Sequence, residues 1–201
     1  MKRKLKVDED VEEVEDDSKC YGYFEQILTK RIQHFYLSGD IEAPSAYIDM
    51  VHKLRTATQD ETIIIHLNTE GGDLSAGLQI INAMKYSQAH IICSLEGEAF
   101  SLGSLIFLAA DEFLIHDNSL MMIHNFSGGS YGKANEQVSY IEATIQWFKE
   151  LAQDYYVPFI TEKELADVLQ DKDLYFHAAD IRKRIVKMVK IHQKESKEKS
   201  N

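Results

Sequence analysis

Thr62-Ile63-Ile64-Ile65-His66-Leu67-Asn68-Thr69-Glu70-Gly71-Gly72-Asp73-Leu74-Ser75-Ala76-Gly77-Leu78 is the stretch that decides the fold class of this chain. Its first six residues are a β-branched, apolar run bounded by polar residues, which reads as a buried strand. Asn68 to Gly72 then reads as a turn, because adjacent glycines open backbone conformations closed to other residues. Beyond it, Leu74, Leu78 and Ile81 recur at helical spacing, so the strand feeds an amphipathic helix. The same unit recurs on both sides. Upstream, residues 34–38 (His-Phe-Tyr-Leu-Ser) read as a strand ended by Gly39-Asp40, and residues 44–57 as a helix with Tyr47, Val51 and Leu54 on one face. Downstream, His90 to Leu95 is a strand, Gly97 a break, and Ser101 to about Ala110 a mostly apolar helix. Strand–helix alternation through residues 34–110 implies parallel strands joined by right-handed crossovers, hence an α/β fold.

The flanks are read less firmly from pattern. Tyr23 to Ile32 has the look of a short helix, and residues 112–116 and 119–124 of two short strands. Ser127 to Gly132 carries three glycines and two serines, a flexible or strand-edge segment. A long helix is predicted from Asn135 to about Tyr155, holding the single tryptophan, Trp147, with further helices near 162–170 and 177–191. No internal repeat or linker marks a second domain, and only Pro44 and Pro158 interrupt the chain. With 201 residues, 44% of them hydrophobic, one substantial core is affordable.

Composition narrows the function classes. The net charge of −11 disfavours nucleic acid as a partner. No uninterrupted apolar run reaches about 18 residues, so no membrane span is expected. The basic start Met1-Lys2-Arg3-Lys4 runs into Asp8-Glu9-Asp10 with no apolar stretch between, unlike a secretory signal. Cys20 and Cys93 form no metal-like pair, which points to a reducing compartment, here taken as the cytoplasm, and to no cysteine zinc site. Residues 8–17 hold eight acids, and residues 182–199 hold eight Lys or Arg against two Glu. Both ends read as solvated tails, with partner contact or pore lining as the alternative.

Two strand-to-helix turns are marked by glycine: Glu70-Gly71-Gly72-Asp73, and Gly97-Glu98-Ala99-Phe100-Ser101-Leu102-Gly103. Each turns backbone N–H groups outward at a helix start, where an anion or oxyanion is held well. Ser101 is either a helix cap or a nucleophile gaining from the helix dipole. A nucleophilic serine needs a base. The chain offers His34, His52, His66, His90, His116, His124, His177 and His192, and pattern alone does not choose among them. Asp173 in Asp171-Lys172-Asp173-Leu174-Tyr175-Phe176 is, on pattern, an ordinary cap or surface charge.

Resemblance to a family makes the choice. Asn68-Thr69-Glu70-Gly71-Gly72-Asp73-Leu74-Ser75-Ala76-Gly77 resembles the Asn-Ser-Pro-Gly-Gly-x-x-x-Ala-Gly segment of ClpP-like peptidases, the proteolytic subunits of Clp proteases. Gly97-Glu98-Ala99-Phe100-Ser101-Leu102-Gly103-Ser104 is similar to their Gly-Gln-Ala-Ala-Ser-Met-Gly-Ala nucleophile turn. Met122-Ile123-His124-Asn125 is similar to their Met-Ile-His-Gln, and Gly128-Gly129-Ser130-Tyr131-Gly132 to their glycine-rich handle strand. Asp173-Leu174-Tyr175-Phe176-His177-Ala178 resembles Asp-Arg-Phe-(Leu/Met)-Ser-Ala. The likeness runs in one order from about Tyr23 to Lys190.

The resemblance implies a spiral of βαβ units, shared with crotonases, with a protruding helix–strand handle. The charge runs set apart an acidic tail over residues 1–20 and a polar, basic tail over 193–201, and the resemblance implies a peptidase domain over 21–192 between them. Ser101 would be nucleophile, His124 base and Asp173 its orienter, with Asp171 a rival. The N–H groups of Gly72 and Leu102 would form the oxyanion hole. Asn125, Phe126, Ser127, Gly128 and Gly129 would pair with an extended substrate as an added strand. No cofactor and no metal are implied. The implied assembly is a homo-oligomer of two stacked heptameric rings, fed unfolded polypeptides by an AAA+ ATPase. A catalytically silent ring subunit and a crotonase-like acyl-CoA enzyme are the competing classes. Some positions depart from the pattern. Glu70 replaces proline and Glu98 replaces glutamine, both adding negative charge near the site. Ile64 and His66 stand where the family's ATPase-docking surface has aromatics, and the glycine expected near Arg184-Ile185 is missing, which favours a continued helix.

Overall fold

In a computed structural model, which describes residues 30–199, the Thr62 run lies in strand β2, Glu61–Thr69. Ile63, Ile65 and Leu67 are wholly buried, while Ile64 and His66 alternate with them and remain partly exposed. The strand is therefore buried on one face rather than both, because helices cover one side of the sheet here. Strand β1, Arg31–Ser38, pairs parallel with β2. It claims Arg31 and Ile32, the end of the short helix expected from Tyr23; the rest of that expectation, and the acidic tail, lie outside the described residues.

A 3-10 turn, Pro44–Tyr47, leads into α1, Ile48–Thr56, and α2 spans Leu74–Lys85. Asp73 caps α2 by accepting from the Ala76 amide at 2.8 Å. Strand β3 runs from His90 to Phe100, five residues beyond the end expected at Leu95. Gly97 does not break it. A side chain there would sit 2.3 Å from Asn68 Oδ1, and that oxygen accepts from the Glu98 amide at 3.0 Å. Glycine thus lets Asn68 cross the strand where the β2–β3 register shifts between Leu67 and Thr69.

Helix α3 covers Leu102–Leu108, β4 Glu112–Ile115 and β5 Leu120–Ile123; both strands pair parallel with β3. Helix α4, Ala134–Tyr156, buries only Phe148, Ala152 and Tyr156, all in its last three turns, so its first half protrudes. After α5, Glu162–Val168, comes β6, Leu174–His177, antiparallel to β5, and then α6, Ala178–Lys199. Pattern reading missed β6 because four residues carry too little periodicity. No glycine interrupts α6, which continues past Ile185 to Lys199. The sheet order is β1-β2-β3-β5-β6, with β4 on β3. The core lies between this sheet and α1, α2, α3, the end of α4 and the apolar stripe Ile181, Ile185 and Met188 of α6. The chain is α/β of the spiral kind expected.

Candidate active site

The chain passes from β3 into α3 through one residue. Phe100 is still paired with Met122 of β5, Leu102 is already helical, and Ser101 between them has φ 51° and ψ −120°. That left-handed conformation costs a non-glycine residue about 1–3 kcal/mol and persists only where its surroundings impose it. The helix-cap reading of Ser101 does not hold, since its hydroxyl caps no amide of α3. Its Oγ lies 2.7 Å from Nε2 of His124 instead. β5 supplies both constraints: the Ser101 amide donates to Met122 O at 3.0 Å, and His124 follows Ile123 directly at the strand's end. A bond from the serine hydroxyl to Nε2 requires that nitrogen to be the unprotonated one, which leaves the proton on Nδ1. Such a pair is able to transfer the hydroxyl proton to the ring as the oxygen attacks.

The Gly71-Gly72 turn packs directly on this serine. Gly71 has φ +104°, and a Cβ there would lie 2.9 Å from Ser101 Cβ and 3.0 Å from Phe100 O. At Gly72, φ +145°, a Cβ would lie 2.2 Å from Ile41 O. The turn is held by Ile41, whose amide donates to Gly71 O at 2.7 Å and whose carbonyl accepts from Asp73 N at 2.8 Å. Thr69 Oγ1 accepts from the Gly71 amide at 3.0 Å. Among the described residues, no acceptor pairs with the N–H of Gly72 or of Leu102. Two unspent donors beside a serine oxygen suit a developing oxyanion.

Asp173 is not brought into this chain of bonds. It is exposed, and no hydrogen bond or ion pair joins it to His124 among the described residues. It nevertheless precedes β6, where Leu174 pairs with Ile123. One further step of that antiparallel register sets Asp173 across from His124, where Cβ atoms are usually about 4.5–5.5 Å apart. Asp171, with φ 65°, is occupied otherwise: its Oδ1 accepts from Asn125 Nδ2 at 2.8 Å.

Residues 125–129 leave β5 beside the serine–histidine pair and form no strand within the chain. Asn125 Oδ1 accepts from the Phe126 amide at 3.0 Å, and the Phe126 ring packs on Phe148 at 5.4 Å between centroids. Ser127, Gly128 and Gly129 are exposed, with open space around both glycines. The handle is thus a helix preceded by an irregular segment in no strand ladder, not a helix and a formed strand.

Two further residues touch the nucleophile turn and were not singled out in the sequence. Ser104, fully buried, donates through its hydroxyl to Ser101 O at 2.6 Å, and its Oγ lies 2.9 Å from the hydroxyl of Tyr156, the buried last residue of α4. Ser104 was legible as the third residue after Ser101, where a side chain reaches back to a helix start. Nothing in the sequence links it to Tyr156, 52 residues on.

A family model described as Clp protease matches residues 15–184. The chain belongs to the Clp protease family. Membership makes it a peptidase of the ClpP type, in a family that is in general one of serine peptidases. Every residue of the site just described falls inside the matched span. No helix among the described residues is long and apolar enough to cross a membrane.

Proposed function

We propose that this member of the family is a serine endopeptidase with Ser101 as nucleophile, His124 as general base and Asp173 as orienter of the imidazole. One observation carries the reading: the strained turn that aims Ser101 Oγ at His124 Nε2 over 2.7 Å. Ser101 attacks the peptide carbonyl as its proton passes to Nε2. The tetrahedral oxyanion takes hydrogen bonds from the Gly72 and Leu102 amides. The imidazolium then protonates the leaving amine, which departs and leaves an acyl ester on Ser101. His124 next takes a proton from water as its oxygen attacks the ester, then returns that proton to Ser101 Oγ as the acyl–Oγ bond breaks and the new carboxyl end leaves. Asp173, the residue before the Leu174–Ile123 pair of β6 and β5, accepts from Nδ1–H, the proton left by the tautomer this cycle needs.

The segment Asn125, Phe126, Ser127, Gly128 and Gly129, which pairs with no strand among the described residues, takes an extended polypeptide as an added strand, a mode that reads main chain before side chains. The peptidase domain is residues 21–192, between an acidic tail over 1–20 and a polar basic one over 193–201. Its working form is a ring oligomer, two stacked heptamers, in the cytoplasm, served by an AAA+ unfoldase. The protruding half of α4 supports self-association, since Val138, Tyr140, Ile141 and Ile145 are all exposed there.

The test is a fluorophosphonate probe followed by peptide mapping. Stoichiometric labelling at Ser101 is expected, abolished in Ser101→Ala and strongly reduced in His124→Ala; labelling that survives Ser101→Ala defeats the assignment. Native mass measurement tests the ring, which a monomer at micromolar concentration would refute. A second reading, a catalytically silent ring subunit, draws on the missing Asp173–His124 bond. An unreactive Ser101 in an intact ring would favour it.

A further inference from the structure

We propose that Ser104 and Tyr156 form a clamp that holds the Ser101–Leu102 peptide plane so that the Leu102 amide faces the substrate oxygen. The proposal rests on the reading of Ser101 as nucleophile. Among the described residues the only cis peptide is Val157–Pro158, so the Ser101–Leu102 bond is trans and planar. In such a unit the carbonyl and the amide point to opposite sides. Whatever pulls the Ser101 carbonyl inward therefore turns the Leu102 N–H outward.

The inward pull is unusually strong for a helix start. A cap carbonyl normally accepts one intrahelical bond. The Ser101 carbonyl accepts from Ser104 N at 3.0 Å and from Ser104 Oγ at 2.6 Å, and the Tyr156 hydroxyl stands 3.5 Å away. Ser104 spends its proton on that carbonyl, so at 2.9 Å it accepts the single proton of Tyr156. Burial pushes the Tyr156 phenol well above its ordinary range, which keeps it a donor at every working pH. The direction of the relay is thereby set: Tyr156 to Ser104 to the Ser101 carbonyl.

Core tyrosines often spend their hydroxyl on a convenient neighbour, and that plainer role would concern stability alone. Two facts favour the sharper one. The relay ends on a residue with φ 51°, a conformation that must be imposed from outside. The amide it orients is also one of the two beside the serine without an acceptor. Alanine occupies the place of Ser104 in the family motif, so the hydroxyl is an addition in this chain and Ser104→Ala suits the fold. Ser104 and Tyr156 are positioning residues.

The full chain should be assayed on a small fluorogenic peptide, with fluorophosphonate labelling alongside. Removing a whole oxyanion donor typically lowers kcat by about 10²–10³. Loosening one should lower it by about tenfold, in Tyr156→Phe and in Ser104→Ala, with KM within twofold. Because Tyr156 acts through Ser104, the double variant should be no slower than Ser104→Ala. Thermal melting and native mass check that each variant folds and assembles; should Tyr156→Phe fail there, Ser104→Ala carries the test. The clamp is overturned if kcat stays within twofold, if the two losses multiply, or if only melting temperature or KM moves. Wild-type labelling at Ser101 that Tyr156→Phe leaves unchanged sinks the clamp alone. Absence of wild-type labelling at Ser101 sinks the nucleophile reading and the clamp with it.

Discussion

Gly71→Ala should cripple the site without replacing any residue that carries chemistry. The new methyl would meet Ser101 Cβ at 2.9 Å, Phe100 O at 3.0 Å and Leu102 N at 3.2 Å. Carbon atoms rest about 3.5–4.0 Å apart, so the serine must retreat by at least ~0.6 Å or the turn must open. The Ser101–His124 bond of 2.7 Å has little slack, since such bonds fade beyond about 3.2 Å. A misplacement of about 1 Å costs on the order of 10²-fold in rate, and we expect fluorophosphonate labelling of Ser101 to slow by that factor. Stability falls as well. At φ +104° an alanine is strained by roughly 2 kcal/mol, and a chain of this size loses about 2–4 °C per kcal/mol. A melting shift of about 4–8 °C should therefore accompany the loss of labelling. Labelling within threefold of wild type, with melting unchanged, would refute the packing of this turn against the nucleophile.

Three other substitutions test separate parts of the structure. Asp173→Asn should lower kcat by about 10²–10⁴ by removing the acceptor for Nδ1–H, while Asp171→Asn changes it less than threefold; the opposite ranking would make Asp171 the orienter. Arg184 donates to both oxygens of Glu164, at 3.0 and 2.7 Å, and holds that carboxyl at about 2 against the usual 4.5. Because the folded value lies below the unfolded one, the pair stabilises fully above pH 4.5 and loses its effect as pH falls from there toward 2. Wild type should therefore be more stable than Arg184→Gln near neutrality, with about 1 kcal/mol of the gap due to the ion pair, a figure kept small by partial exposure. The gap should narrow below pH 4.5 without vanishing, since Arg184 also donates to Phe159 O at 3.2 Å and lies over the Phe176 ring; a gap constant down to pH 3 contradicts this. Cys93 is wholly buried and its thiol is pushed up by desolvation, so in a Cys20→Ser background it should resist thiol reagents until the chain unfolds. Rapid reaction in the native protein would show that the core opens there.

Much of the scaffold was open to reading because its signals are local. The Thr62–Leu67 run, the Gly71-Gly72 turn and the leucine spacing after it each lie within a few residues, whereas the one-faced burial of β2 depends on where the helices pack. Where local signals were thin or misleading, the reading slipped. Four residues of β6 carry no period of their own, and their pairing with β5 is decided by a neighbour about 50 residues away in the chain. Gly97 looked like a break because a glycine's role depends on what approaches it, here Asn68 from the adjacent strand.

Sequence by itself determined the strand–helix alternation over residues 34–110, the two glycine turns and, through the family motifs, which serine, histidine and aspartate to watch. Only the tertiary structure decided that Ser101 is held in a left-handed turn, that its hydroxyl meets His124 while no bond joins Asp173 to that ring, and that Tyr156 reaches Ser104 beneath it. The reason is range. A helix period or a turn preference is an energy of neighbouring residues, whereas a hydrogen bond between segments 23 or 52 residues apart exists only once packing has fixed both ends.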